Sequence, residues 1–322
     1  MQAKHKKTGE FVISLDFELF WGMKDCSTIN TYGENILGVR NAIPKMIQLF
    51  NEFEINATFA TVGFLFAKNK KELLKFSPTK KPQYENKNLS SYTDYLEKLG
   101  IDETNDKYHF ASSLIDLINE HPNHEISTHT FSHYYCLEKG QNVSDFKQGL
   151  ISAINIAKKK GIVLKSIIFP KNQFNEKYLK TCLDLGINSY RGNEESWIYK
   201  AEKSKDETLL KKMFRFSDSY INISGHHCYS IDNTKKNTPY NIPSSRFLRP
   251  YSKRLKMLKI LKLNRIKKSM NYAAKNGLVY HLWWHPHNFG KNTERNFKIL
   301  NQILIHYSKL NNMTLQVALC LT

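Results

Sequence analysis

Two acidic residues two positions apart, Asp16 and Glu18, follow on the short apolar run FVISL. Far downstream, His129 and His133 stand four apart in HEISTHTFSH (124–133), and His285 and His287 close the run LVYHLWWHPH. Imidazoles and carboxylates are ordinary ligands of a divalent ion such as zinc, which in catalytic sites keeps one position open for water. Such an ion activates water near neutral pH and polarises a carbonyl. A second carboxylate could then accept a proton, and a histidine could deliver one to a leaving group. A histidine pair at i,i+4 is a weak signal alone. It gains weight because acids and a further histidine also sit where apolar runs end.

The elements that must position these groups alternate along the chain. FVISL (11–15) reads as a strand, and 38–51 as a helix with Val39, Ile43, Met46, Ile47 and Phe50 at helical spacing. ATFATVGFL is a second strand, and a helix near 110–120 leads into the histidine stretch. The next helix has Ser144 as its candidate cap and Gly161 as its stop. IVLKSIIFP, a helix over NEKYLKTCLDLG, and the short strand INSYRG follow. A basic helix over 251–275, the strand GLVYHLWWHPHNFG, the helix NTERNFKILNQILIHYSKL and the run MTLQVAL complete the pattern. This alternation predicts a mostly parallel α/β sheet or barrel covered by helices, with functional side chains at the carboxyl ends of the strands. Lysine-rich excursions are expected near 68–107 and 200–270, and no linker divides 1–322 into separate domains.

The chain carries 48 Lys+Arg against 29 Asp+Glu, a formal net charge of +19 that favours anionic partners such as phosphorylated substrates or an acidic membrane surface. No zinc finger, RNP-type aromatic motif or helix-turn-helix spacing stands out, so nucleic acid is not an expected partner. The basic helix within 251–270 places Leu255, Leu258, Leu261 and Ile266 on one side. That stripe either covers the sheet or makes a peripheral membrane contact. The five cysteines are scattered, without CxxC spacing, which suits a reducing compartment and argues against a cysteine-built zinc site. No signal peptide or membrane-spanning run is read. The expected location is the cytoplasm, with the inner membrane face as a second address.

Together, SLDFE, HEISTHTFSH, FPKNQ and LWWHPHN resemble the polysaccharide deacetylase family, the NodB-homology carbohydrate esterases. The family's first motif, an acidic pair closing a strand, is similar to Ser14-Leu15-Asp16-Phe17-Glu18. Its second, H-[ST]-x-x-H, is matched by His129-Thr130-Phe131-Ser132-His133. Its third corresponds loosely to Ile168-Phe169-Pro170-Lys171-Asn172, and its last to Trp283-Trp284-His285-Pro286. The motifs keep the family's order over nearly the whole chain. The resemblance implies a distorted (β/α) barrel and a divalent metal, most often zinc, held by His129, His133 and Glu18. Asp16 would be the base and His285 the acid, with the two acids open to exchange and His287 competing with His285.

Here Phe17 separates the two acids, although alternation in a regular strand still points 16 and 18 to one face. Lys171 stands where the family has an arginine beside the base. Pro170, Lys171 and Trp284 are the expected substrate contacts, although Trp283 and Trp284 also read as core. His121 and His124 are expected on the surface, His281 in packing, and His226 and His227 in structural roles. The implied reaction removes an N-acetyl or other N-acyl group from an amino sugar. The sugar would belong to a cell-surface polysaccharide or a lipid-linked, phosphorylated precursor. A small cyclic amide as substrate, or a non-catalytic glycan-binding domain with a degenerate site, are the competing readings.

Overall fold

The first strand, β1 (Gly9–Phe17), is buried almost from end to end, as an unbroken apolar run requires of a strand covered on both faces. The computed structural model describes residues 8–92, 95–203, 206–234, 238–310 and 313–315. Eight further strands follow: β2 (Ala57–Thr61), β3 (Glu125–Thr128), β4 (Ser166–Ile167), β5 (Ser189–Tyr190), β6 (Tyr240–Asn241), β7 (Arg246–Phe247), β8 (Val279–Trp284) and β9 (Met313–Leu315). Their order across the sheet is β6-β5-β4-β3-β2-β1-β8-β7, with β9 also on β1, and every pairing is parallel.

Parallel neighbours need crossover connections, which the helices supply. These are α1 (Ile29–Leu37), α2 (Val39–Glu52), α3 (Lys70–Phe76), α4 (Ser112–Asn119), α5 (Val143–Lys159), α6 (Glu176–Asp184), α7 (Leu209–Asp218), α8 (Ile231–Thr234), α9 (Lys259–Asn276) and α10 (Thr293–Ser308). In α5 the cap is Asn142, whose side chain accepts from the Asp145 amide, rather than Ser144.

The two edge strands, β6 and β7, are joined by only four residues, and this segment bridges the sheet's ends. The Ser244 amide donates to Gly192 beyond β5, and the Ser245 amide donates to His281 in β8. The parallel sheet therefore curls into a distorted α/β barrel, the architecture expected from the sequence. Residues 200–270, expected as an excursion, supply β6 and β7 to it. The lysine-rich stretch 68–107 contains no strand among its described residues, but Leu73, Tyr84 and Leu89 anchor it by burial. Met313–Leu315 opens the final apolar run, while 316–319 and Cys320 lie outside the described residues.

The basic segment is a 3-10 turn (Lys253–Leu258) followed by α9, and its apolar stripe is rotated from the expected one. Ile266 is buried, but Leu261 faces outward with Met257 and Ile260. Lys262 and Arg265 are buried instead. Lys262 Nζ donates to the Arg249 carbonyl at 2.7 Å, and the Arg265 guanidinium lies 3.5 Å from the Asp218 carboxylate. Buried polar partners thus fix the rotation of this helix, overriding its leucine spacing.

Candidate metal centre

At the carboxyl end of β1 the chain turns sharply. Phe17 ends the strand, and Leu19 adopts a left-handed φ of 47° that swings Glu18 over the barrel mouth. Gly22 makes room for it: a Cβ there would fall 2.1 to 2.3 Å from the carboxyl atoms of Glu18. After β3, the loop His129–His133 has Thr130 at φ 63° and His133 at φ 60°, so a strained loop, not a helix, aims the two imidazoles. Neighbouring residues hold the loop: Thr130 Oγ1 accepts from the Tyr134 amide at 2.7 Å, and Ser91 Oγ donates to the Ser132 carbonyl at 3.1 Å. The lysine-rich segment also reaches this loop, where Tyr84 Oη accepts from the Tyr135 amide.

His133 Nε2 lies 3.0 Å and His129 Nε2 3.3 Å from the same oxygen of Glu18, Oε2, and all three side chains are buried. His129 Nδ1 donates to the Ile168 carbonyl at 2.8 Å. A carbonyl can only accept, so Nδ1 carries the proton, and in the neutral ring Nε2 presents a lone pair to the carboxylate. Only positive charge between them, a proton or a metal ion, makes that pair attractive. His133 Nδ1 is oriented in turn by Tyr135 Oη at 3.0 Å. Two imidazole nitrogens, one carboxylate and outer partners that orient the rings are a donor set that suits zinc. Their ligand atoms lie within 4.8 Å of one another. Burial pushes Glu18 up, but His285 and the imidazoles of His129 and His133 outweigh it and hold the carboxyl well below its ordinary value.

Asp16 has a different partner. Arg191, after β5, grips it with both terminal nitrogens, Nη1 to Oδ1 at 2.7 Å and Nη2 to Oδ2 at 2.8 Å. The same guanidinium donates to Ser14 Oγ and Asn172 Oδ1 and lies 4.1 Å from the Trp283 ring. Burial raises the Asp16 pKa, but Arg191 first, then His129 and His285, bring it below the ordinary carboxylate value. His285 Nε2 lies 3.8 Å from Asp16 and 3.5 Å from Glu18, and its ring stacks on His287 at 4.8 Å. His285 is partly open to the cavity. His287 is buried and its pKa is pushed down to about 3, by burial first and the neighbouring His285 second. Glu18, His285 and His287 form a second candidate donor set that shares the Glu18 carboxylate.

A cavity of about 610 Å³ opens beside His285, with Trp283, Phe247, Lys171 and Asn172 among its walls. The structure thus brings together Asp16, Glu18, His129, His133 and His285. It separates others. Trp284 is wholly buried between Phe50 and Phe289 and cannot touch a substrate, because strand alternation gives positions 283 and 285 to the cavity face. Trp283 is the aromatic on that face. Lys171 lines the cavity, but its ammonium pairs with Asp25 at 2.5 Å, and Arg191 takes the place beside Asp16. Pro170 is buried and is not among the residues that line the cavity.

His124 is not a surface residue: it packs between Phe50 and Phe59, and burial pushes its pKa down to about 4. His281 is buried, with Ser14 Oγ 2.8 Å from its Nε2. His226 and His227 bond Ser269 and Ser224 outside the centre. Arg191 is the site residue that sequence reasoning passed over. Its only signal was a charge within the short segment INSYRG, read as a strand.

No protein-family model matches the chain, and no curated protein matches it in sequence. Solved structures do match in fold. One described as a polysaccharide deacetylase from Mycobacterium smegmatis superposes with a TM-score of 0.59 at 14% identity, covering 99% of this chain and 89% of that one. Another so described, from Pseudomonas aeruginosa PAO1, gives 0.52 at 8% identity over 94% of this chain and 86% of that one. A 4-alpha-glucanotransferase from Thermococcus litoralis gives 0.51 at 11% identity over 96% of this chain but 39% of its own. The chain has the distorted α/β-barrel fold of structures described as polysaccharide deacetylases.

Proposed function

We propose that this protein is a metal-dependent hydrolase that removes an N-acetyl or other N-acyl group from an amino sugar. The substrate would be a cell-surface polysaccharide or a lipid-linked, phosphorylated precursor. The observation that carries the proposal is the meeting of His129 Nε2, His133 Nε2 and Glu18 beside a second carboxylate held by Arg191, at the mouth of an open cavity.

Glu18, His129 and His133 would hold the ion, with zinc the best fit to the donors. When bound, the metal supplies Lewis acidity toward the amide oxygen and toward water. The chain's own residues handle the protons. Asp16, kept ionised and fixed in orientation by Arg191, accepts the proton of the attacking water. His285, at the cavity wall, delivers a proton to the departing amine as the C–N bond breaks. The products are a free amino sugar and acetate. Trp283 and Phe247, with rings 4.7 Å apart on the cavity side, give a sugar a surface to lie against.

The proposal includes a cytoplasmic or inner-membrane-face location. The outward Met257, just before α9, and Ile260 and Leu261 in its first turn, among lysines and arginines, support the membrane contact, which sedimentation with anionic vesicles checks. No helix among the described residues is long and apolar enough to cross a membrane.

The test is acetate release from N-acetylated amino sugars by the zinc-loaded protein, with metal content measured alongside. Release that disappears in His129→Ala together with the bound metal is the expected result. Stoichiometric metal with no release from any such sugar defeats the hydrolase reading.

A further inference from the structure

The cavity beside His285 has a second end, and the charges there do not balance. Asp218, fully buried, serves two guanidiniums at once: Arg246 at 3.0 Å and Arg265 at 3.5 Å. Glu207 is likewise shared by Lys212, at 3.3 Å, and Arg215. Arg249 stands between these groups. Its Nε donates to Ser219 Oγ at 2.7 Å, and its guanidinium lies 5.4 Å from the Phe216 ring and 6.0 Å from the Phe247 ring. No ion pair joins Arg249 to a carboxylate among the described residues. Arg215, Arg246 and Arg249 all line the cavity, so this wall holds more cations than the acids beside it neutralise. Glu194 stands on the same wall, its pKa raised by burial while Arg246 and Arg191 pull it down, and a single carboxyl does not balance the cations there.

We propose that Arg249, with Arg215 and Arg246, forms a subsite for a phosphate group carried by the substrate. The proposal rests on the hydrolase reading for its orientation, with the acyl group at the metal centre and the phosphate at the far wall. Phe247 supplies the spacing: its ring is 5.7 Å from the His285 ring and 6.0 Å from the Arg249 guanidinium. One aromatic ring therefore separates the reacting end from the cationic end, a span suited to a sugar ring lying between its acyl and phosphate substituents. Guanidinium forks match phosphate oxygens in geometry as well as charge, and a wall shared by three arginines favours a multiply charged tetrahedral anion. Next to it, Met213 and Phe216 line an adjoining hollow with Arg215 and Arg249. Leu209, Leu210, Met213 and Phe216 of α7 are exposed, so the phosphate's other substituent meets an apolar surface. A phosphate ester of an isoprenoid lipid and a water-soluble sugar phosphate share the same anchor. They differ in whether this surface contributes.

Calorimetry on the full, metal-loaded chain tests the subsite with inorganic pyrophosphate and a short-chain isoprenyl phosphate as probes. Pyrophosphate should saturate at one site per chain. Arg249→Gln should weaken it by about tenfold or more, and Arg249→Lys should recover part of the loss. Arg215→Gln should weaken it in the same direction and serves as the second variant if Arg249→Gln does not fold. Lys291→Gln removes an exposed charge paired with Glu34 outside the cavity and should leave binding unchanged. Non-saturable binding, or equal affinity in wild type and the folded arginine variants, overturns the proposal. Tighter isoprenyl phosphate binding that weakens in Met213→Ser identifies a lipid-linked source, and indifference to that change identifies a soluble one. The readout is separate from turnover: a chain that binds pyrophosphate through Arg249 yet releases no acetate defeats the hydrolase reading and leaves the subsite standing.

Discussion

Replacing Arg191 by methionine tests the framework of the centre without touching the imidazoles. Met retains most of the buried stem and removes only the guanidinium. In the wild type both ends of the ion pair are buried, joined by two bonds of 2.7 and 2.8 Å, with Ser14 and Asn172 completing the guanidinium's partners. Removing one partner of such a pair strands the other as an uncompensated charge, which costs about 3–5 kcal/mol. Asp16→Asn introduced into the Arg191→Met background should return the larger part of that loss, because no charge is then left buried.

The pH dependence has a definite sign. Wild-type Asp16 has its pKa below the ordinary value, so its contribution to stability is complete above the unfolded carboxyl's pKa. That contribution is lost as pH falls through the lower folded value. In Arg191→Met, burial acts without its main counterweight and the pKa turns upward. The penalty is then largest near neutral pH and shrinks on acidification. Urea unfolding of the wild type, both single variants and the double variant, at about pH 7 and about pH 5, measures all of this. A loss below about 1 kcal/mol in Arg191→Met, or a double variant no more stable than that single one, refutes the assignment of Arg191 as the charge partner of Asp16.

Three further outcomes follow from the same geometry. Gly22→Ala should push the Glu18 carboxylate off its imidazole partners and weaken zinc affinity by about 10–100-fold, as measured by competition with a chromophoric chelator. Trp284→Ala should destabilise the fold by about 3–5 kcal/mol as a core truncation, while Trp283→Ala should cost less stability and more saccharide binding, so unfolding and binding curves must rank the two in opposite order. Asp218→Asn should cost about 3–5 kcal/mol near neutral pH by leaving Arg246 and Arg265 without their carboxylate. Because the Asp218 pKa is lowered in the fold, that stabilisation is present above the unfolded carboxyl value and lost only in strong acid. The gap between wild type and variant in urea unfolding should therefore narrow only there.

The convergence of Asp16, Glu18, His129, His133 and His285 was legible because Asp16, Glu18 and His285 follow apolar runs, the two histidines follow HEIST, and a parallel sheet gathers strand ends at one edge. Alternation of strand and helix made a parallel sheet or barrel legible, and the resemblance of the motifs chose the distorted barrel between them. Arg191 was hidden because β4 and β5 are two residues each, too short to show a period, and only the curling of the sheet lets a residue after β5 reach Asp16 on β1, three strands beyond β4 in the sheet order. The misplacement of Trp284 was avoidable: counting back from His285 by twos reaches Trp283. His124 and Arg265 show the opposite failure. Their polarity suggests surface, yet the Ala57 amide bonds one and Asp218, Asn222 and Ser269 hold the other, so their burial depends on contacts far along the chain.

The sequence left open which acid serves the ion and which serves the proton, and their surroundings give a physical basis for choosing. A carboxylate that binds a divalent cation must have its positive charge supplied by that cation. A guanidinium already locked on the same oxygens competes with it and repels it. Asp16 has both oxygens committed to Arg191. Glu18 has no guanidinium partner among the described residues and is faced by imidazole nitrogens, one of which has no proton to offer in its neutral ring. Exchanging the roles would require breaking the buried Arg191 fork and leaving Glu18 lone pair against lone pair. These electrostatics favour the proposed roles, Glu18 for the ion and Asp16 for the proton, because the two acids flanking Phe17 face different kinds of cation.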